Sequence, residues 1–442
     1  MHRTAPSRLA LPGRTHPRRQ SGTPLALTLL GALALLGGCA ITSGRPPGAH
    51  DNTATPSASA PASTPASMPP PDAPGTAIAT APATSPAPTP RARWVSVDWQ
   101  ALPGWQADRS AELWPALRAG CARPAAGWAA LCARALALNP LDDATARDFL
   151  QRELQPYRVE TPDGQSQGLA TGYFEPLLPA SRRARPGFRV PVHKPPPDLA
   201  QRRPYWTRQQ LDTVPAANAA LRGQEIAWLA SPLDLLVLQI QGSGRLRITE
   251  ADGSARTVRM AFAGHNDQPY RSVGRWLIDQ GELKADAANW PAIRDWAQRA
   301  PPERAQQMLW ANPRVVFFRE EALPADDGAV SSTATSASSS ATPNTAANAS
   351  PTGPRGAQGV PLSAGRSVAV DPQAIPYGTP LWIDTTEPLS ATPLRRLVMA
   401  QDTGSAITGA VRVDYFWGSG EVAEQQAGRM KQPLRVWALW PR

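Results

Sequence analysis

Histidine is scarce in this chain, and where the few histidines fall removes whole mechanisms. Of the five, His2 and His16 lie in an N-terminal leader and His50 in a Pro/Ala/Ser/Thr tract, leaving only His193 and His265, far apart and with no second ligand type clustered around either. A histidine-built metal site or catalytic triad therefore has no support, and each of the two reads as a loop or surface residue. Lysine is almost as rare: Lys194, Lys284 and Lys431 form no serine–lysine motif. No block of five like charges occurs, which removes the usual signature of nucleic-acid binding. Five of the ten net positive charges fall in the leader, and the mild arginine excess that remains suits an anionic polymer. Cysteine is limited to Cys39, Cys121 and Cys132. The leader's apolar run, Leu25 to Leu36, is too short for a stable membrane span.

That run follows a basic segment (Arg3, Arg8, Arg14, Arg18, Arg19) and ends at Leu36-Gly-Gly-Cys39. The layout is that of a bacterial lipoprotein signal: residues 1–38 are expected to be removed and Cys39 to carry several acyl chains, enough for stable anchoring. Ala40, in place of an aspartate, favours the outer membrane, with the chain facing the periplasm. Cys121 and Cys132 lie in a segment of helical character, Ala111 to Ala137, and in an oxidising compartment a disulfide is the default expectation. Two thiols without histidine nearby do not make a zinc site, so neither metal nor cofactor is expected.

Residues 39–93 have almost no large apolar side chains and read as a disordered tether. A second low-complexity stretch, 324–358, reads as an insertion within a domain. Between and after them the texture is mostly β. Strands are predicted at Leu169–Pro176, Arg189–His193, Leu235–Gln241, Arg245–Thr249, Ala255–Phe262, Arg314–Arg319, Arg366–Val370, Pro380–Asp384, Arg396–Gln401, Val411–Trp417 and Leu434–Trp440. Helices are predicted before about Gln155 and at Tyr270–Gln280 and Trp290–Trp310. Short strands with Gly/Pro punctuation argue for a barrel.

Two glycine motifs are decoys. Gly418-Ser-Gly420-Glu-Val-Ala423 lacks the acid a dinucleotide fingerprint needs downstream, and Gln241-Gly-Ser-Gly244 has glutamine where a nucleophile elbow has glycine. Carboxylates remain as the natural catalysts, and Asp402 and Asp414 are the candidates. By strand alternation Val411, Val413, Tyr415 and Trp417 face a core, while Arg412, Asp414 and Phe416 share the other face, where an acid and an aromatic suit a sugar groove. The same pattern fits an exposed Arg–Asp pair. The aromatics Tyr173, Phe174, Tyr270 and Trp417 in Gly-rich contexts suit sugar stacking, although core packing is the commoner fate of such side chains.

The ordered motifs resemble the membrane-bound lytic murein transglycosylase A family. They are Thr171-Gly-Tyr-Phe-Glu-Pro176, Leu238-Gln-Ile-Gln-Gly-Ser-Gly-Arg245, Asn266 with Pro269-Tyr-Arg-Ser-Val-Gly-Arg275, and Asn312-Pro-Arg-Val-Val-Phe-Phe-Arg319. Next come Gly359-Val-Pro-Leu-Ser-Ala-Gly-Arg-Ser-Val-Ala-Val-Asp-Pro372, Ile375-Pro-Tyr-Gly-Thr-Pro380 and Ala400-Gln-Asp-Thr-Gly-Ser-Ala-Ile-Thr-Gly409 leading to Arg412-Val-Asp414. The last part resembles the three-aspartate domain, its acids falling on Asp371, Asp402 and Asp414. The resemblance implies a mainly β fold with some α. A double-psi β-barrel would be built from both chain ends (94–176 plus 311–442), with a smaller β-domain inserted at 177–310 and a groove between the two.

The family's single catalytic acid falls on Asp414, with Asp402 and Asp371 shaping the site. Tyr173, Glu175, Gln239, Gln241 and Ser243 are candidate glycan contacts, and a structural role in the Gly-rich turns fits each of them equally well. The implied partners are peptidoglycan glycan strands and other cell-wall enzymes. The alternatives are a non-catalytic peptidoglycan-binding lipoprotein and a hydrolase on the same fold. One departure is Asn266-Asp267, where the family often has Asn-Gly.

Overall fold

The computed structural model describes residues 91–138, 140, 142–323 and 352–442. The leader, Cys39, nearly all of the 39–93 tract and most of the 324–358 insertion lie outside the described residues.

Strand β1 (Arg93–Ser96) precedes helices α1 (Trp114–Cys121), α2 (Ala129–Ala137) and α3 (Asp143–Glu153), then β2 (Leu154–Glu160) and β3 (Gly168–Glu175). The middle of the chain carries β4 (Leu177–Ser181), β5 (Val190–His193), α4 (Arg208–Thr213), α5 (Pro215–Ala220), β6 (Glu225–Leu229), α6 (Pro232–Gln241), β7 (Gly244–Thr249) and β8 (Ala255–His265). It continues with α7 (Val273–Asp279), α8 (Trp290–Arg299), α9 (Pro302–Ala311) and β9 (Val316–Ala322). The last part gives β10 (Ser367–Ala369), β11 (Pro380–Thr386), β12 (Pro393–Asp402), β13 (Arg412–Ser419), α10 (Glu421–Ala427) and β14 (Lys431–Pro441).

Six strands run in the order β14-β11-β12-β10-β13-β3, and β3 pairs back onto β14, closing a barrel. The C-terminal half of β14 instead pairs with β2, which carries β1 at the rim. Alternation puts Val368, Val370, Leu381, Ile383, Val398, Val413, Tyr415 and Val436 inside, and β-branched and aromatic side chains suit such a pleated, buried surface. The helices before β2 cover one side: Trp114, Leu117, Trp128 and Leu150 pack with Trp382, Leu397 and Trp437. Cys121 and Cys132 are bonded, clipping α1 to α2 with their Cα atoms 5.3 Å apart.

A second sheet, β5-β6-β4-β7-β8-β9, is inserted between β3 and β10. It has its own core (Val192, Leu229, Leu246, Ile248, Met260, Phe318), and a further apolar cluster joins α6 to α7, α8 and α9 through Leu236, Leu277, Ile293 and Met308. The overall class, mainly β with a barrel from both ends of the chain and a smaller inserted β unit, is the one the sequence implied.

Four sequence expectations change in detail. Leu235–Gln241, read as a strand, is the body of α6. Its apolar run is buried on more than one side, so periodicity could not separate helix from strand. The ends decide it: the Ser231 hydroxyl accepts from Leu233 N at 3.1 Å, Pro232 takes the first turn, and Gly242 ends the helix at φ 78°. The inserted sheet extends past 310, because β9 pairs with β8 from Val316 opposite His265 to Ala322 opposite Val258. β1 starts at Arg93, within the tract read as tether. Residues 352–358, read as insertion, fold back as a tight loop: Gly353 N donates to Leu362 O and Gln358 N to Gln401 O.

At Asn266-Asp267 the left-handed turn is kept, with Asp267 at φ 54°. Aspartate tolerates this conformation, and here Arg203 pairs with its carboxylate at 3.1 Å while its N–H donates to His265 Nδ1 at 3.0 Å.

Candidate active site

The barrel register brings the acids together. Ala369 on β10 lies opposite Asp402 of the parallel strand β12 on one side and opposite Asp414 of the antiparallel strand β13 on the other. Residues paired across strands point to the same face, so both carboxylates rise from one row with a methyl group between them. Their backbones are two strand spacings apart, about 10 Å. Val368 and Val370, pointing the other way, are in the barrel core.

This row floors a groove of about 670 Å3. The inserted unit supplies one wall, through Ile240 and Gln241 at the end of α6, Tyr270 and Ser272 to Arg275, and Asn289 and Trp290 at the start of α8. Loops at Thr403–Ile407 and Gly428–Gln432 complete it.

Asp414 is half-buried. Its Oδ1 accepts from the Thr171 hydroxyl at 2.5 Å, and Thr171 in turn accepts from Arg412 Nη2 at 2.8 Å. Burial pushes the Asp414 carboxyl above the ordinary carboxylate range, against the opposing pull of the Thr171 hydrogen bond and the Arg412 charge. Asp402 is pushed up to about 6, again mainly by burial. The N–H groups of Thr403 and Ala357 and the Tyr173 hydroxyl pull it down, and the Asp414 charge pushes it further up. Tyr173 OH donates to Asp402 Oδ2 at 3.0 Å, and Ala357 N donates to Oδ1 at 2.9 Å. That second contact needs the 352–358 loop against β12: a Cβ on Gly356 would lie 2.4 Å from Gln401 O. Gly172 has the same role between Thr171 and Tyr173, where a Cβ would lie 2.8 Å from Ala427 Cα and closer still to Trp417. Only glycine lets α10 lie this close to β3.

The other sequence candidates separate cleanly. Tyr173 lines the groove, its ring 5.1 Å from Phe416, as does Gln241, whose Oε1 accepts from Phe174 N at 3.0 Å. Glu175 is fully buried and paired with Arg245 at 2.8 Å and Arg259 at 2.5 Å, so it holds the barrel strand β3 to the inserted sheet. Gln239 is buried and donates to Val316 O at 3.2 Å; Ser243 is buried beyond α6. Asp371 is 3% exposed and away from the groove. It accepts from Gly409 N at 2.8 Å, Gln373 N at 3.0 Å and Arg91 at 3.1 Å, and although burial pushes it up, these partners hold it below the ordinary range. It fixes the loop between β12 and β13 and so acts on Asp402 and Asp414 through backbone. His193 and His265 end strands β5 and β8 and do not line the groove.

Sequence reasoning missed Thr171, Ala369 and Lys431 as groove residues. Period two along β3 puts Thr171 on the Tyr173 face, so Thr171 was legible; the other two depend on register between distant strands. The Ala369 methyl leaves the space between the acids open. Ala369→Leu is expected to fill it and raise KM for glycan about tenfold, about 1.4 kcal/mol of lost binding, and, because Ala369 is only 3% exposed, to lower the melting temperature by a few degrees as well. An unchanged KM would show that substrate does not enter between the two acids.

The comparisons with known proteins agree with this geometry. The family model described as the MltA specific insert domain matches residues 169–319, and that of the 3D domain matches residues 366–440. Membrane-bound lytic murein transglycosylase A of Escherichia coli (strain K12) is 28% identical over 298 residues, 66% of this chain and 71% of that protein. Among solved structures, the lytic transglycosylase LtgG of Burkholderia pseudomallei is 41% identical, with 81% of this chain and 99% of that chain covered at a TM-score of 0.51. MltA from Neisseria gonorrhoeae is 30% identical, with 82% and 96% covered at a TM-score of 0.63. Barrel, inserted sheet and acid-floored groove thus define an enzyme of the lytic transglycosylase class. Within that class, the chain belongs to the membrane-bound lytic murein transglycosylase A family.

Proposed function

We propose that this enzyme cleaves the β-1,4 bond between N-acetylmuramic acid and N-acetylglucosamine in peptidoglycan without water, leaving a 1,6-anhydro end. The observation that carries the reading is Asp414. It is a half-buried carboxyl on the groove floor, pushed toward its protonated form by burial and oriented by Thr171. Protonated Asp414 donates to the glycosidic oxygen as the bond breaks. Positive charge develops on the muramic ring, and the same carboxylate then takes the proton of that ring's 6-hydroxyl as its oxygen closes on the anomeric carbon. One group suffices because the nucleophile is tethered within the substrate, where effective molarity replaces a second catalyst.

A second reading has one observation in its favour. Asp402, pushed up to about 6 and flanking the same alanine, is a second carboxyl of the kind a water-activating hydrolase uses. Product chemistry separates the two. Digestion of purified sacculi, followed by mass analysis of the muropeptides, is expected to give products lighter by one water than the hydrated forms. Hydrated products would make the enzyme a hydrolase, and bound but uncut sacculi would leave a binding protein.

We further infer that Cys39 carries the lipid anchor at the outer membrane, with the groove working in the periplasm alongside other cell-wall enzymes. The lipoprotein layout of residues 1–39 supports this, as does the name of the Escherichia coli relative, which describes it as membrane-bound.

A further inference from the structure

The row that holds the two acids does not stop at Asp414. Thr171 on β3 lies opposite Asp414 on one side and opposite Lys431 of β14 on the other. Five neighbouring strands therefore present Asp402, Ala369, Asp414, Thr171 and Lys431 in one line, and all five line the groove. At the usual strand spacing the line is about 19 Å long, with Lys431 about 10 Å from Asp414 at the backbone. The floor is thus polarised: carboxyls at the Asp402 end, an ammonium at the β14 end.

Arg429, two residues before Lys431, lines the same end. Both side chains are exposed, and among the described residues neither has an ion-pair partner within the protein. The other groove cations are engaged: Arg275 pairs with Asp279 at 2.8 Å, and Arg412 donates to Thr171 and to Val413 O. Beside Lys431, Gln432 donates to Thr386 and to Glu387 O and so holds the tip of the β11–β12 hairpin. That tip carries Leu389, 77% exposed at φ 53° and also lining the groove. A leucine held in the left-handed region and left in water is costly; at a groove edge it is positioned to be covered by substrate.

From this arrangement we infer that Lys431 and Arg429 form a carboxylate subsite that reads the anionic substituent of the glycan. It distinguishes muramic-acid-bearing strands from neutral N-acetylglucosamine polymers. The inference rests on the glycan-cleaving reading of this groove and adds to it a determinant of substrate class. The carboxylate can come from the lactyl group of a muramic ring stripped of peptide or from the stem peptide of an intact one. A neutral chito-oligosaccharide offers neither.

The test measures equilibrium binding to the full-length protein in detergent, in an Asp414→Asn background so that nothing is cut. Three ligands are compared: soluble murein strands with stem peptides, the same strands stripped by an amidase, and chitohexaose. The double variant Lys431→Ala/Arg429→Ala is expected to weaken binding of a carboxylate-bearing strand about five- to tenfold. Chitohexaose binding should be unchanged, and Lys431→Arg should restore most of the loss. Added salt should erode the difference in the parent protein. A loss confined to peptide-bearing strands assigns the stem carboxylates, and a loss on stripped strands assigns the lactyl group. An equal loss on chitohexaose, or no loss on any ligand, overturns the subsite. Because the binding arm needs no turnover, this inference and the proposed reaction fail separately.

Discussion

Asp414→Asn is expected to lower turnover on murein strands by about 10⁴-fold, close to 5.5 kcal/mol of transition-state stabilisation. The effect should sit at the upper end for general acid–base catalysis because one carboxyl serves both proton transfers. Asparagine keeps the size and can still accept from Thr171, so glycan affinity and thermal melting should change little. The loss belongs in kcat, which single-turnover kinetics on soluble strands would read.

The pH profile gives an independent check. The acid must start protonated, so the rate is full below the raised pKa of Asp414 and falls as pH rises through it. The Asp414 charge adds to the burial that pushes Asp402 up, so the two carboxyls titrate as a coupled pair. Asp414→Asn removes that neighbouring charge, and the titration of Asp402 is expected to move to lower pH. Full activity in Asp414→Asn, or an Asp402 titration that stays put in that variant, would remove the assigned roles.

Glu175→Gln is expected to cost about 3–5 kcal/mol of folding stability, because it leaves the buried Arg259 guanidinium without this countercharge and removes one ion pair from Arg245. The carboxylate is completely buried, its Oε1 accepting from Arg259 and its Oε2 from both Arg245 and Arg259. Arg259 also donates to Thr352 O at 2.7 Å, so the same cluster ties β3, the inserted sheet and the loop that supports Asp402. Calorimetry should show the melting temperature lowered by about 10 °C, at 2–4 °C per kcal/mol for a chain of this size. Any change in KM should follow loosening of the 352–358 loop, with the titration of Asp402 moved up alongside as its hydrogen bond from Ala357 N weakens. A variant with normal melting and a raised KM would instead make Glu175 a glycan contact.

Much of this protein was legible in its sequence. The scarcity of histidine left carboxylates as the candidate catalysts, and alternation along Val411–Trp417 set Asp414 and Arg412 apart from the core face. The ordered glycine-flanked motifs carried the family resemblance and, with it, the barrel and its inserted unit. These are properties of residue type and of period along one strand, so the chain alone suffices.

What the sequence left open involves more than one strand. Glu175 lies in the same motif as Thr171 and Tyr173, yet it pairs with arginines of the inserted sheet while the other two face the groove. The β13–β3 pairing shifts register between Phe416 and Ser419, just where Glu175 pairs with Ser419. Asp371, Asp402 and Asp414 look equivalent as three acids near turns, but only two of them share the row through Ala369. The Leu235–Gln241 run became a helix because its caps and its burial on several sides outweighed an ambiguous apolar pattern. The sequence by itself determined which groups were available and which face of each strand they occupy. Only the closed barrel decided which of them meet, because cross-strand register is set by packing and hydrogen bonding between segments hundreds of residues apart, and a slip of one position would turn every side chain to the opposite face.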